Sequence, residues 1–176
     1  MTKEELISLM GSWENLFLLN KGTPDPEVYL PLLMEIALEG NDTVSWRATW
    51  VADKIMERYP EAVLPWREVI IGILPAIRHV GKRRQLLRMI SRCEIPDSSG
   101  GMLFDYCQER LFLPGEKTAV KAYSMQILYN LTQQVPGLRK EVIQTLEQVI
   151  EQSTEAGVVA SATKIVARLK KEIHRR

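Results

Sequence analysis

Apolar residues recur every three or four positions along most of this chain, which is the spacing of helices that bury one face. Between residues 25 and 39, Val28, Leu32 and Ile36 fall on one such stripe, and Gly40 follows as a helix end. The alternation with a period of two that marks a half-buried strand is absent. The pattern therefore predicts an all-α protein.

Proline, glycine and small polar residues divide the chain into consecutive predicted helices. After an N-terminal segment at about 2–20, these helices cover residues 25–39, 42–59, 61–78, 82–92, 102–112, 116–134, 138–152 and 156–174. The stretch from Ile95 to Gly101, with the sequence Ile-Pro-Asp-Ser-Ser-Gly-Gly, is predicted to be the loosest loop.

Every second helix begins with a similar sequence, and the shared position is held by Arg47, Arg83, Lys121 and Ser161. The spacings of 36, 38 and 40 residues indicate a helix pair that repeats about every 40 residues. One pair cannot bury its apolar face alone, whereas stacked pairs share a continuous core. A compact helical bundle with coincidental spacing is the alternative.

The segment Val120-Lys-Ala-Tyr-Ser-Met-Gln-Ile-Leu128 resembles the second helix of a HEAT repeat, and Pro31 and Pro65 match the internal proline of the first helix. The resemblance covers residues 25–174 and implies a right-handed α-α superhelix, a HEAT/armadillo-like solenoid whose second helices line a concave face. It implies one domain over 1–176, with an N-terminal helical cap at 1–24 and repeats at 25–59, 61–92, 102–134 and 138–174. Ser161 departs from the basic residue of the pattern, as suits a terminal repeat.

The net charge of +1 is unevenly distributed along the chain. Residues 1–45 hold eight acidic and two basic residues, whereas residues 78–92 hold six basic residues and no acidic one. No apolar run approaches the ~20 residues of a membrane span, and the acidic N-terminus does not resemble a signal peptide. These features predict a cytoplasmic protein without membrane contact. The isolated Cys93 and Cys107 are expected to be small buried residues rather than a disulfide.

No motif supports catalysis, a metal or a cofactor. The two histidines, His79 and His174, have no metal-ligand spacing, and Ser98-Ser-Gly-Gly101 lacks the lysine of a phosphate-binding loop. A resemblance to adenylosuccinate lyases fails at this serine loop, which continues into Leu-Phe-Asp rather than Met-Pro-x-Lys-x-Asn. We therefore expect a protein that is not an enzyme.

Trp46, Arg47, Trp50 and Asp53 form the sharpest cluster, since Trp46 and Trp50 lie four residues apart on one helix face. The cluster is similar to the tryptophan, aspartate and arginine that DNA alkylpurine glycosylases, which are also HEAT-like, use on their concave face. The alternative is structural: Trp50 belongs to the core, and Arg47 and Asp53 belong to a ladder between repeats.

Arg84, Arg88 and Arg92 follow at intervals of four and predict one exposed basic stripe, with Arg83 alongside. Such a stripe could bind phosphates or an acidic protein segment, or it could be a solvated surface. The sequence hypothesis is a non-enzymatic binding scaffold that recognises another protein or an acidic peptide, with nucleic-acid binding as the alternative. Its candidate concave-face residues are Trp46, Arg47, Trp50, Asp53, Arg83, Arg84, Arg88, Lys121 and Tyr123.

Overall fold

The structure, a computed structural model, describes residues 1–22 and 26–175, and these residues form helices and no strand. The α-helices are α1 (Lys3–Leu9), α2 (Trp13–Lys21), α3 (Pro26–Leu38), α4 (Thr43–Arg58), α5 (Arg67–Ile73), α6 (Val80–Ile90), α7 (Asp97–Phe112), α8 (Thr118–Gln134), α9 (Arg139–Gln152) and α10 (Ala156–His174). Short 3-10 helices occupy Pro60–Trp66, Leu74–Ala76 and Pro136–Leu138. The predicted all-α fold class is confirmed.

The backbone contacts divide the chain into two compact units, residues 1–93 and 94–176. In the first unit α3 packs against α4, α4 packs against α6, and α1 and α2 cover α3 and α4. In the second unit α7 packs against α8, and α10 packs against both α8 and α9. The assignment of 1–176 to a single domain stays a prediction, and residues 24 and 25, the predicted border of the N-terminal cap, lie outside the described residues.

Each unit has its own apolar core. In the first unit Leu33, Ile55 and Ile70 are at most 1% exposed, and in the second unit Leu103, Leu128 and Leu146 are completely buried. On the stripe predicted for α3, Ile36 is 4% exposed, whereas Val28, near the start of the helix, is 59% exposed. Burial of a leucine or isoleucine side chain contributes about 1.5–3 kcal/mol, so the shared faces of the helices hold each unit together.

Two predicted helix boundaries are wrong. Residues 61–78 do not form one helix, because Pro65 and Pro75 lack the N–H of a regular turn, and 3-10 turns therefore surround the short α5. Residues 97–101 are not a loop but the first turns of α7, where a side chain at Gly100 would meet only Leu131, at 3.7 Å. The N-terminal segment, for which no helix bounds were predicted, forms two helices, because Ser12 caps the second by accepting a hydrogen bond from the Asn15 N–H at 3.4 Å.

Candidate binding face

An aromatic cluster joins α2 to α4 in the first unit. The ring of Trp13 meets Trp46 and Trp50 edge to face, with centroid distances of 5.4 and 5.7 Å. Phe17 meets Trp50 in the same way at 5.9 Å. The sequence pairs Trp46 with Trp50 correctly but misses the partners from α2, although Trp13 and Phe17 share the same spacing of four residues.

The outer edge of this cluster faces solvent. Phe17 is 55% exposed, Trp13 is 37% exposed and the neighbouring Leu18 is 64% exposed, whereas Trp46 and Trp50 are half-buried. Edge-to-face contacts of this kind contribute about 0.5–1.5 kcal/mol each, so they hold the exposed rings in place. The result is an exposed apolar surface of three side chains on α2, two of which, Trp13 and Phe17, pack against α4.

Arg47 links the aromatic cluster to the end of α1. Its guanidinium carbon lies 5.1 Å from the centroid of the Trp13 ring, within the range of a cation–π contact. Its Nη1 donates a hydrogen bond of 2.6 Å to the carbonyl oxygen of Met10, the residue that ends α1. Arg47 is therefore half-buried and holds the N-terminal helices on α4.

Trp46 also stacks on His79, with a centroid distance of 4.9 Å and an interplanar angle of 26°. His79 caps α6, and its Nδ1 accepts a hydrogen bond of 3.2 Å from the Lys82 N–H. A Cβ atom at Gly81 would lie 2.6 Å from Nε1 of Trp46, so this close approach requires glycine. The stacking ties the start of α6 to the face formed by α2 and α4.

Asp53 lies beneath the surface, with a side chain that is 0% exposed. Arg88 and Arg92 of α6 donate hydrogen bonds to its two carboxylate oxygens. Burial raises the pKa of Asp53, and the two guanidinium groups act against this rise. This geometry agrees with the structural alternative for Asp53, in which the residue belongs to a ladder between adjacent repeats.

The predicted basic stripe needs a correction. Arg88 is only 22% exposed, because it binds Asp53 and also donates a 2.7 Å hydrogen bond to Glu57. Arg92 is 31% exposed and shares Asp53. Arg84 is exposed and lies one helical turn before Arg88, and within residues 1–22 and 26–175 its guanidinium has no ion pair or hydrogen bond.

Two further basic residues of the same run bind backbone carbonyls. Nη2 of Arg83 donates a 2.7 Å hydrogen bond to the carbonyl of Ile77. Lys82 is completely buried and donates to the carbonyl of Gly40, which follows α3 with a φ of 111°. Burial lowers the pKa of Lys82. Cations at the ends of helices satisfy free carbonyls, so these residues stabilise the helix junctions.

The remaining predicted residues lie in the second unit. Nζ of Lys121 forms a 2.7 Å ion pair with Glu155, the residue that precedes α10, and Thr118 donates to the same carboxylate. The bond from Lys121, followed by that from Thr118, lowers the pKa of Glu155. Tyr123 is half-buried on α8. The concave-face roles of Lys121 and Tyr123 stay predictions.

Cys93 and Cys107 are free, and burial raises the pKa of both, that of Cys107 to about 12. Among residues 1–22 and 26–175, no group of three or more histidine, cysteine, aspartate or glutamate residues could hold a metal ion. Over the same ranges, no helix is both long and apolar enough to cross a lipid bilayer.

Comparison with known families decides what these helix pairs are, because the HEAT repeat domain model matches residues 25–169. The chain belongs to the HEAT repeat family. The match confirms the predicted repeat class and begins at the residue where the first repeat was predicted to start. This HEAT repeat protein matches no curated protein and no solved structure. HEAT repeats generally serve as protein-interaction scaffolds, which is the functional class that the family supports.

Proposed function

We propose that this HEAT repeat protein is a non-enzymatic scaffold that binds an acidic segment of a partner protein through the face formed by α2, α4 and α6. The observation that carries the proposal is the ordered aromatic edge of Trp13 and Phe17, supported by Trp46 and Trp50. Tryptophan, tyrosine and arginine dominate the energetics of protein interfaces. Large aromatic side chains are rigid and lose little entropy on binding. A partner side chain that covers Phe17 and Leu18 would bury an apolar surface that already exists.

The charge of α6 supports an acidic partner. Arg84 is exposed, and the partly exposed Arg88 and Arg92 bring two positive charges to the single buried carboxylate of Asp53. Glu57 offsets one of these charges at the far end of α4. A carboxylate in the partner would therefore find its best position beside Arg84, one turn away from the Asp53 cluster.

The nucleic-acid alternative gains no support from the same residues. Base excision of the glycosylase kind would require a carboxylate that reaches the ligand, and Asp53 is completely buried and bound by two arginines. Binding of a protein ligand to the aromatic edge and Arg84 does not require the carboxylate of Asp53.

Selection from a phage-displayed library of random peptides, followed by fluorescence anisotropy of the enriched peptides, tests the proposal. We expect enrichment of peptides that combine acidic and large apolar residues. Phe17→Ala and Arg84→Glu should each weaken their binding at least about tenfold, since each removes an exposed side chain that the proposal assigns to the contact with the partner. Lys164→Glu, an equal charge reversal at an exposed residue of the other unit, is the control. Equal binding by Phe17→Ala and the wild type would rule out this face.

A further inference from the structure

A groove of about 670 Å³ crosses the surface of the second unit. One wall is α7, and the other runs from the end of α8 through the 3-10 helix to the start of α9. Phe104, Leu131 and Leu138 contribute apolar surface to it, and Val135 is 49% exposed at its border. An apolar groove of this size accommodates large side chains of a peptide or helix.

The rim of the groove is acidic. Asp97, Asp105 and Glu141 line it and are exposed, and no lysine, arginine or histidine belongs to its lining. None of the three carboxylates forms an ion pair or a side-chain hydrogen bond within the described part of the chain. By contrast, the basic residues Arg47, Arg83, Arg88 and Lys121 each have a partner inside the protein. These carboxylates are therefore available to a cationic ligand.

The wall formed by α7 permits close approach of another backbone. Asp97, Gly100, Gly101, Phe104 and Asp105 follow at intervals of three and four and so share one helix face. A Cβ atom built at Gly101 would have nothing within 4 Å. Small residues on a helix surface let a second chain lie close to the main chain, so the acidic residues at both ends of the stripe can reach it.

The first unit carries a groove at the equivalent position of its own repeats. It lies between α3 and the 3-10 helix at Pro60–Trp66, beside Tyr59 at the end of α4, and its volume is also about 670 Å³. Its lining contains Glu27 and Glu61 and no basic residue. Both grooves lie between the first helices of consecutive repeats. This recurrence indicates that an acidic apolar groove is a common feature of these repeats.

We propose that the groove of the second unit binds a partner segment in which lysine or arginine residues flank a large apolar side chain. The apolar side chain packs on Phe104 and Leu138, while the cations pair with Asp105 and Glu141. This surface differs from the face formed by α2, α4 and α6 in residues and in charge. The protein thus offers an acidic groove in addition to a basic aromatic face.

The test uses the full-length protein and peptides enriched from a phage-displayed random library, measured by fluorescence anisotropy. We expect a class of basic apolar peptides whose affinity falls at least about tenfold in the double variant Asp105→Lys/Glu141→Lys. Gly101→Leu, which fills the groove, should have a similar effect. Glu151→Lys, a charge reversal at an exposed residue outside the groove, should bind like the wild type.

Thermal unfolding of each variant separates loss of binding from loss of folding. If the double lysine variant does not fold, Asp105→Asn/Glu141→Gln replaces it and should weaken binding in the same direction. Recovery of no basic peptide, or unchanged affinity in Gly101→Leu, would overturn the proposal. Loss of these peptides in Phe17→Ala instead would assign them to the other face. If the free protein has twice the mass of one chain and Gly101→Leu restores the mass of one chain, the occupant of the groove is a second copy. That result would also overturn the proposal.

Discussion

Arg47, Arg83 and Lys121 share one position in the repeat, and each uses its charge at the end of a neighbouring helix. Arg47 binds the carbonyl of Met10, Arg83 binds that of Ile77, and Lys121 binds the carboxylate of Glu155. A repeated cation in a HEAT protein is therefore ambiguous in sequence, because capping a helix and contacting a ligand require the same residue type. The neighbouring Arg84, which lies outside this position, is the exposed one.

At the scale of the residue, replacement of Asp53 is expected to destabilise the protein. Asp53→Asn places an amide NH2 group where one carboxylate oxygen accepted a hydrogen bond, so one of the two arginines loses its acceptor, and loss of a buried hydrogen bond of this kind costs about 1–3 kcal/mol. We expect a fall of that size in the free energy of unfolding, measured by urea denaturation. Asp105→Asn makes the same chemical change at an exposed helical residue and should alter stability by less than about 0.5 kcal/mol. Equal effects of the two variants would contradict the assigned role of Asp53.

The contacts of Asp53 also mark the limit of sequence analysis at this scale. The spacing of residues 46, 50 and 53 places them on one side of α4 correctly, because helical periodicity is local. The partner Arg88 is 35 residues away, and no periodicity within one helix identifies which neighbour faces it. The exposed stripe was therefore predicted from α6 alone, without the carboxylate on α4 that occupies two of its arginines.

At the scale of the element, the sequence predicts helices well where the apolar stripes are long. It predicts them poorly where proline or glycine residues, which also occur in turns, interrupt the stripes. Helix α8 was predicted within two residues of its observed bounds. Helix α7 was predicted to begin five residues late, since Ser98, Gly100 and Gly101 resemble a loop. This error conceals the acidic groove, because Asp97 and Asp105 share a helix face only if α7 includes the glycines.

The packing of α4 on α6 should depend on pH through Glu57. Hydrogen bonds from Lys54 and from Arg88 lower the pKa of Glu57 from 4.5 to about 2. A lowered pKa in the folded state stabilises the protein above the unfolded pKa, and this stability is lost as the pH falls from about 4.5 to about 2. The side chain is 42% exposed, so we discount the contribution for solvent screening to about 1 kcal/mol or less.

Urea denaturation of the wild type and of Glu57→Gln at about pH 6 and about pH 3 measures this contribution. The two proteins should differ in free energy of unfolding at about pH 6, and the difference should be smaller at about pH 3, where Glu57 is largely protonated in the unfolded state but still largely ionised in the folded state. High salt should reduce the difference at the higher pH. A difference that does not change with pH would show that the two hydrogen bonds do not act through the charge of Glu57.

At the scale of the whole molecule, the division of the chain into two compact units predicts that each can fold by itself. In a repeat protein each repeat contacts only its neighbours, so stability is approximately a sum of local terms. The second unit, residues 94–176, contains two helix pairs and a core in which Leu103, Leu128 and Leu146 are completely buried. We expect a fragment of residues 94–176 to show a helical circular dichroism spectrum and cooperative thermal unfolding.

Leu128→Ala in this fragment should lower the free energy of unfolding by about 2–5 kcal/mol, so the thermal transition should disappear or move to a much lower temperature. The exposed substitution Gln126→Ala, on the same helix, should leave it nearly unchanged. A fragment without a cooperative transition would show that the second unit needs the first in order to fold, and that the repeats act as one cooperative array.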